Sequence, residues 1–294
     1  HHLGRETFLV PVTWDSAGWP VFGDVGAVGR VDLRMRAPAS ATLPPKPMLV
    51  HRQMRGDRDD FDRSPLAPCW NFVRNPRDRD WSLTQRPGFL RLMGSPVTLD
   101  EVDSPALVVR RQQHFAVRCR SSVDFWPRRS NEEAGLVIRA NERFHYQLSV
   151  TGAPARSARA GAQESRQDSR QESQQDCRQV VLRARIRGVT RVMGRVPILG
   201  PGSVLLQVDA TRHWYTFRAG VAQIAENLGA KGRATRMRAL GKLPTAGLSS
   251  ESVWASGQNY FTGVFVGLFA TGNGRRSTVP ADFDWFAYVP VARR

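Results

Sequence analysis

Acidic side chains are the first candidates for chemistry in this 294-residue chain. Cleavage of a glycosidic bond by acid and base needs two carboxyl groups facing one bond, roughly 5–10 Å apart. Glu132 and Glu133 are adjacent. In a strand, neighbours point to opposite faces, so the pair reads as one turn acid and one acid that starts a strand. Asp282 and Asp284 flank Phe283 in Asp-Phe-Asp-Trp-Phe. Alternation in a strand puts the two aspartates on one face and Phe283 with Trp285 on the other. Two such carboxylates could help hold a structural calcium ion, although they supply only part of its roughly 6–8 oxygens. The alternative is that they cap turns or pair with arginine.

Other chemistries find little support. The three cysteines, Cys69, Cys119 and Cys177, are widely spaced and form no CxxC or Cys/His ligand pattern. Cys119 lies in an alternating run and reads as a small apolar core residue. His114 and His145 also sit in alternating runs and read as hydrogen-bonded sheet residues. There is no GxSxG elbow, and Gly272-Asn273-Gly274 lacks the Lys and following helix of a phosphate loop. Trp126, Trp214, Tyr260 and Phe261 could stack on a sugar ring. Tyr260 and Phe261 follow the loop-like Ser256-Gly257-Gln258-Asn259, whereas Trp214 fits a sandwich core better.

The elements that would position these groups are short strands. Candidates include Trp70–Val73, Phe89–Met93, Ala106–Arg110, Gln113–Cys119, Val180–Arg187, Val204–Val208, Trp214–Arg218, Phe261–Ala270 and Phe283–Val289, with a hairpin pairing 135–139 and 143–148. None of the segments of ten or more residues keeps an apolar stripe at helical spacing. Many short alternating strands separated by turn residues predict an all-β antiparallel sandwich. Thr7–Trp14, the turn Asp15–Gly18 and Trp19–Phe22 read as strand, turn and strand. Residues 29–65, rich in proline and charge, read as a linker. Residues 153–179 repeat Arg, Gln, Ser and acids without aromatic side chains. They predict a disordered insertion between two strands, and Gly229 to Lys242 reads as a smaller one.

The formal charge is +17, from 43 basic against 26 acidic residues. Only Lys46, Lys231 and Lys242 are lysines; the other basic residues are arginines spread along the chain. This distribution favours a solvated arginine-rich surface over a nucleic-acid face, with a polyanion-binding surface as the competing reading. Hydrophobic residues make up 41%, enough for a sizeable core, and no apolar run reaches the roughly 18 residues of a membrane span. The chain opens at His1 with no basic-then-apolar leader and reads as a cut start, which leaves secretion and cytoplasmic residence both open.

Several strings occur together in a familiar order. They are Trp70-Asn71-Phe72-Val73-Arg74-Asn75-Pro76, Trp81-Ser82-Leu83-Thr84 with Arg86-Pro87-Gly88-Phe89-Leu90-Arg91-Leu92, and Arg110-Arg111-Gln112-Gln113-His114-Phe115. Asn131-Glu132-Glu133-Ala134-Gly135-Leu136, Phe261-Thr262-Gly263 and Pro280-Ala281-Asp282-Phe283-Asp284-Trp285-Phe286 complete the series. The series resembles the C-terminal concanavalin A-like β-sandwich (jelly roll) of glycoside hydrolase family 43 β-xylosidases, over residues 66–291. Leu3-Gly4-Arg5-Glu6-Thr7-Phe8 with Gly18-Trp19-Pro20 resembles the last stretch of that family's five-bladed catalytic β-propeller, making 1–28 a propeller remnant.

The resemblance implies an accessory domain of a β-xylosidase or α-L-arabinofuranosidase. It would brace the propeller and help close the pocket on a xylo-oligosaccharide or arabinoxylan substrate. Arg5 would reach the sugar subsite, and Phe261 would be the pocket-closing aromatic. The family's catalytic Asp, Asp and Glu lie on propeller blades, and nothing here matches them, so the chain alone is expected to be inactive. The alternative is a free-standing lectin-like carbohydrate-binding module. Partners are expected to be the propeller and the glycan, with a homo-oligomer compatible; a membrane is not expected, nor nucleic acid.

Overall fold

A computed structural model describes residues 2–4, 12–22, 57–152, 178–198, 200–221 and 237–291. The chain divides into two compact units, one comprising His1–Gly4 with Met54–Arg294 and the other Arg5–Gln53. In the second, β1 (Val12–Trp14) pairs antiparallel with β2 (Pro20–Phe22). The turn between them is closed by Asp15, whose carboxylate accepts from the amides of Ala17 and Trp19 at 2.9 and 2.8 Å. This is the strand, turn and strand expected from the sequence.

The larger unit is a two-sheet antiparallel sandwich of jelly-roll type. Its strands begin with β3 (Asp57–Asp59), β4 (Trp70–Phe72), β5 (Trp81–Ser82), β6 (Leu90–Met93) and β7 (Ala106–Arg111). They continue with β8 (Val117–Asp124), β9 (Glu133–Asn141), β10 (Phe144–Gly152), β11 (Arg178–Ile186) and β12 (Val189–Ile198). The last are β13 (Val204–Ala210), β14 (Trp214–Val221), β15 (Arg238–Pro244), β16 (Phe265–Thr271) and β17 (Pro280–Pro290). The seven-stranded sheet has the order β12-β11-β10-β9-β16-β7-β4, and the eight-stranded sheet the order β15-β14-β13-β8-β17-β6-β5 with β3 added alongside β17. A single α-helix, α1 (Ser250–Trp254), stands among the described residues, and no described helix is long and apolar enough to cross a membrane.

The core lies between the sheets and follows the alternation. On β10, Phe144, Tyr146, Leu148 and Val150 face inward; on β13, Val204, Leu206 and Val208 do. A second, smaller cluster sits on the outer face of the seven-stranded sheet, where Leu99 packs on Leu107, Val109, Val137 and Phe269. Strands β7 and β9 are therefore covered on both faces, which is why their sequences read as near-continuous apolar runs.

Four expectations are corrected. The linker does not extend to residue 65. Asp57–Asp59 pairs with β17, Phe61 is buried, and the Trp70 indole donates to Asp59 at 2.7 Å. The charged run conceals the start of the sandwich, because Asp59 serves as a hydrogen-bond acceptor. Residues 2–4 join the sandwich unit rather than the segment that follows them. Strand β17 carries a bulge between Phe283 and Trp285, which resets its alternation. Phe283, Phe286 and Tyr288 are buried while Trp285 is half-exposed, so Phe283 and Trp285 do not share a face. Arg238–Lys242, read as part of an insertion, lies in edge strand β15. Residues 153–177 and 229–236 lie outside the described residues; Arg178 and Gln179 belong to β11.

Candidate functional site

Residues 249–264 bring an exposed and a half-buried aromatic side chain together. Ser249 caps α1 by accepting from the Ser252 amide at 3.3 Å. This fixes a five-residue helix whose last residue, Trp254, is 49% exposed. The chain then returns through Gln258, which accepts from the Asn141 side chain at 3.2 Å and ties the loop to the β9–β10 turn. Tyr260 turns into the core. Phe261 remains half-buried and meets Trp254 edge-to-face, with ring centroids 5.3 Å apart.

Immediately beyond, Gly263 adopts φ +77°, and a Cβ there would overlap the Leu3 carbonyl. The Val264 amide donates to the His2 carbonyl at 2.8 Å. The His2 ring packs on Phe115 and Tyr215, 5.3 and 6.0 Å between centroids. Burial lowers the His2 pKa to about 4. Residues 2–4 therefore hold the Phe261 loop from one side. Arg5, the expected sugar-binding arginine, lies outside the described residues.

The remaining sequence candidates are spent on structure. Glu132 sits in a turn and accepts from the amides of Arg128, Arg129 and Thr278 and from the Thr278 hydroxyl. Glu133 starts β9, buried, with Arg183 at 2.6 Å and the Ser149 hydroxyl at 3.2 Å. Burial raises its pKa against the pull of Arg183. They are one turn acid and one strand-starting acid. His145 is a buried sheet residue whose ring nitrogens meet the Asn141 carbonyl, Asp100 and Gln147. His114 is not in a strand; it precedes β8 and its Nδ1 meets the Tyr288 hydroxyl at 3.2 Å.

Asp282 is buried, and both of its oxygens accept from guanidinium groups, with Arg91 at 2.7 and 2.8 Å and Arg86 at 2.8 Å. Burial opposes its ionisation, but the two arginines outweigh this and hold the carboxyl below its ordinary range. Asp284 stands at the bulge, its pKa raised by burial. The residues present do not fit a calcium ion: the Asp282 oxygens are occupied by cations, and among the described residues no three His, Cys, Asp or Glu side chains gather as ligands. The arginine-pairing alternative describes Asp282.

Trp214, expected in the core, is 41% exposed beneath the Lys242 ammonium, 4.4 Å from its ring. Trp126 is half-buried under the Arg178 guanidinium at 3.5 Å and donates to Asp124. Cys119 is buried, and burial pushes its thiol up to about 12. The residue that sequence reasoning passed over is Trp254. Its signal was weak: a serine cap and one turn of helix, too short for any periodicity.

An antiparallel jelly-roll sandwich of two sheets is the architecture of concanavalin A-like domains. Residues 58–289 match the family described as the beta xylosidase C-terminal concanavalin A-like domain, and the chain belongs to that family, an element of glycoside hydrolase family 43 proteins. The chain is similar to a non-reducing end alpha-L-arabinofuranosidase of Bacteroides ovatus, 36% identical over 98% of this chain and 45% of the relative. Among solved structures, a Bacteroides ovatus family 43 protein from a xyloglucan locus superposes with a TM-score of 0.70 at 35% identity, over 99% of this chain and 48% of that one. A xylan beta-1,4-xylosidase from Bacillus halodurans gives 0.71 at 28% identity, over 98% and 48%. The chain thus spans about half the length of these relatives.

Proposed function

We propose that this chain is the C-terminal accessory part of a glycoside hydrolase of the β-xylosidase or α-L-arabinofuranosidase type, acting on xylan-derived or arabinose-bearing oligosaccharides. In this reading residues 5–28 belong to the end of a catalytic propeller, the sandwich braces that propeller, and Phe261 contributes to the sugar pocket. The supporting observation is the Trp254–Phe261 pair, held on a loop fixed by Gln258 on one side and by residues 2–4 on the other. A sugar ring has an apolar face, and an aromatic edge held at a rim excludes water from it. Glu132, Glu133 and Asp282 are occupied by arginines, amides and hydroxyls. They leave proton transfer to carboxylates elsewhere in the protein.

The test is hydrolysis of nitrophenyl β-xyloside and α-L-arabinofuranoside. The chain alone should give none. Joined to a family 43 propeller it should turn over, and Phe261→Ala should raise KM about tenfold, the effect of losing roughly 1.4 kcal/mol of ring contact. Turnover by the 294-residue chain alone, or an unchanged KM, would overturn the reading. Heat of binding to neutral xylo-oligosaccharides by the chain alone, lost on Phe261→Ala, would instead favour the free-standing lectin-like module.

A further inference from the structure

The outer face of the eight-stranded sheet carries a second feature, separate from the Trp254–Phe261 pair. Across β14, β13, β8 and β17, one register row reads Arg218, Gln207, Arg120, Ala287, and the next Thr216, Asp209, Arg118, Val289. The β14, β13 and β8 members of these rows floor a groove of about 460 Å3, walled by Ala116, Ala210, Thr211, Met237 and Val291. Asp209 is the acid that lines it, and it accepts from both Arg118 and Arg218. Gln207, 97% buried, accepts from Arg120 Nε at 2.5 Å through one amide atom and donates to Asp209 at 2.5 Å through the other.

Three guanidiniums therefore stand beside one carboxylate that bonds two of them, an excess of two positive charges. Arg120 has a neutral acceptor where its neighbours have an acid. Burial, with the proximity of Arg118 and Arg218, lowers its pKa, so an added anion would relieve real repulsion. The strands hold these groups in place, and the buried amide of Gln207 fixes the Arg120 fork. Little side-chain freedom remains to be lost on binding.

We propose that this groove binds the carboxylate of an acidic glycan, a xylan-type oligosaccharide branched with a hexuronate. The choice of glycan rests on the function proposed above; the anion chemistry does not. A carboxylate meets a guanidinium fork in bidentate geometry, and the small apolar and threonine walls suit the body of a sugar. Nucleic acid suits the groove poorly. Single strands are held by aromatic stacking and a long basic track, whereas the charge here is concentrated at one point and the described residues that line the groove include no aromatic.

Calorimetry on the 294-residue chain at low ionic strength tests this with four probes: glucuronate-branched xylotetraose, unbranched xylotetraose, sodium glucuronate and a single-stranded oligonucleotide. The branched sugar should bind at least about tenfold tighter than the unbranched one, and Arg120→Gln should remove about tenfold of that affinity. Arg120→Lys should recover only part of it. Thermal unfolding checks that each variant folds, and Arg218→Gln on β14, two strands from β8, reads the same groove if Arg120→Gln does not. Equal binding of both sugars, or affinity unmoved by both glutamine substitutions, overturns the proposal. So does glucuronate binding as tightly as the branched sugar, or an oligonucleotide binding as tightly and failing on the same substitutions. Phe261→Ala kinetics read the earlier proposal through other residues, so either can fail alone.

Discussion

Single side chains in this protein are fixed by what burial forces them to find. His145 lies on the outer face of β10 with 1% of its surface exposed, facing Asp100, Gln147, the Asn141 carbonyl and the Arg139 guanidinium. Burial and Arg139 disfavour the imidazolium, Asp100 and Asn141 favour it, and the net pKa lies below 6.5. The unfolded chain therefore binds this proton more readily than the folded one. Stability is complete above pH 6.5 and falls as pH drops through 6.5 toward the folded value. His2, with its pKa near 4, acts in the same direction. Denaturant unfolding at pH 7.5 and 5.0 should show lower stability at pH 5.0. His145→Gln should narrow the difference while His2 preserves part of it. Asp100 works at lower pH: its carboxyl is held below 3.8 by His145 and Arg185 against burial, so its contribution is lost as pH falls below 3.8.

Elements are shaped by close approach and by interruptions. Gly267 on β16 sits between β7 and β9, and a Cβ there would overlap the Val108 carbonyl and lie 2.7 Å from the Val109 Cα. Gly267→Ala should therefore cost about 1–3 kcal/mol through overpacking of an interior strand, read as a lower denaturation midpoint at unchanged slope. The bulge in β17 shows the limit of pattern reading. Alternation alone paired Phe283 with Trp285, but one unpaired residue sends Phe286 into the core and leaves Trp285 outside, under Arg58 at 4.4 Å. A bulge depends on what the partner strand opposes, which a single strand's sequence does not carry. Strand β3 was hidden for a related reason. Asp-Arg-Asp has no strand propensity, and it pairs because Asp59 satisfies the Trp70 indole and β17 offers an open edge.

At the scale of the molecule, the sandwich has its own core and its own charge problem. Its core runs from Phe61 to Tyr288, and the division into units falls near residue 53. A chain beginning at Met54 should fold cooperatively, with one coincident transition by circular dichroism and tryptophan fluorescence; two transitions, or a chain without near-ultraviolet signal, would show that the preceding residues are required. Part of the arginine count is neutralised locally, where Arg86, Arg91, Arg183 and Arg276 pair with acids at 2.6–2.8 Å, and the net +17 resides on the remaining basic residues. Around Asp209, three arginines outnumber the one described acid.

The sequence by itself determined the class of fold and the family, because alternation, turn residues and a long ordered series of motifs are local properties that survive without coordinates. It also separated Glu132 from Glu133, since adjacency in a strand dictates opposite faces. Tertiary structure alone decided which aspartate met which arginine, that Trp254 would stand beside Phe261, and that Arg118 and Arg218 would meet on Asp209 beside Arg120. Those groups lie far apart in the chain or on strands whose order no local pattern encodes. Charge pairing and ring contact act over a few ångströms of space, and only the registered sheets bring them within that reach.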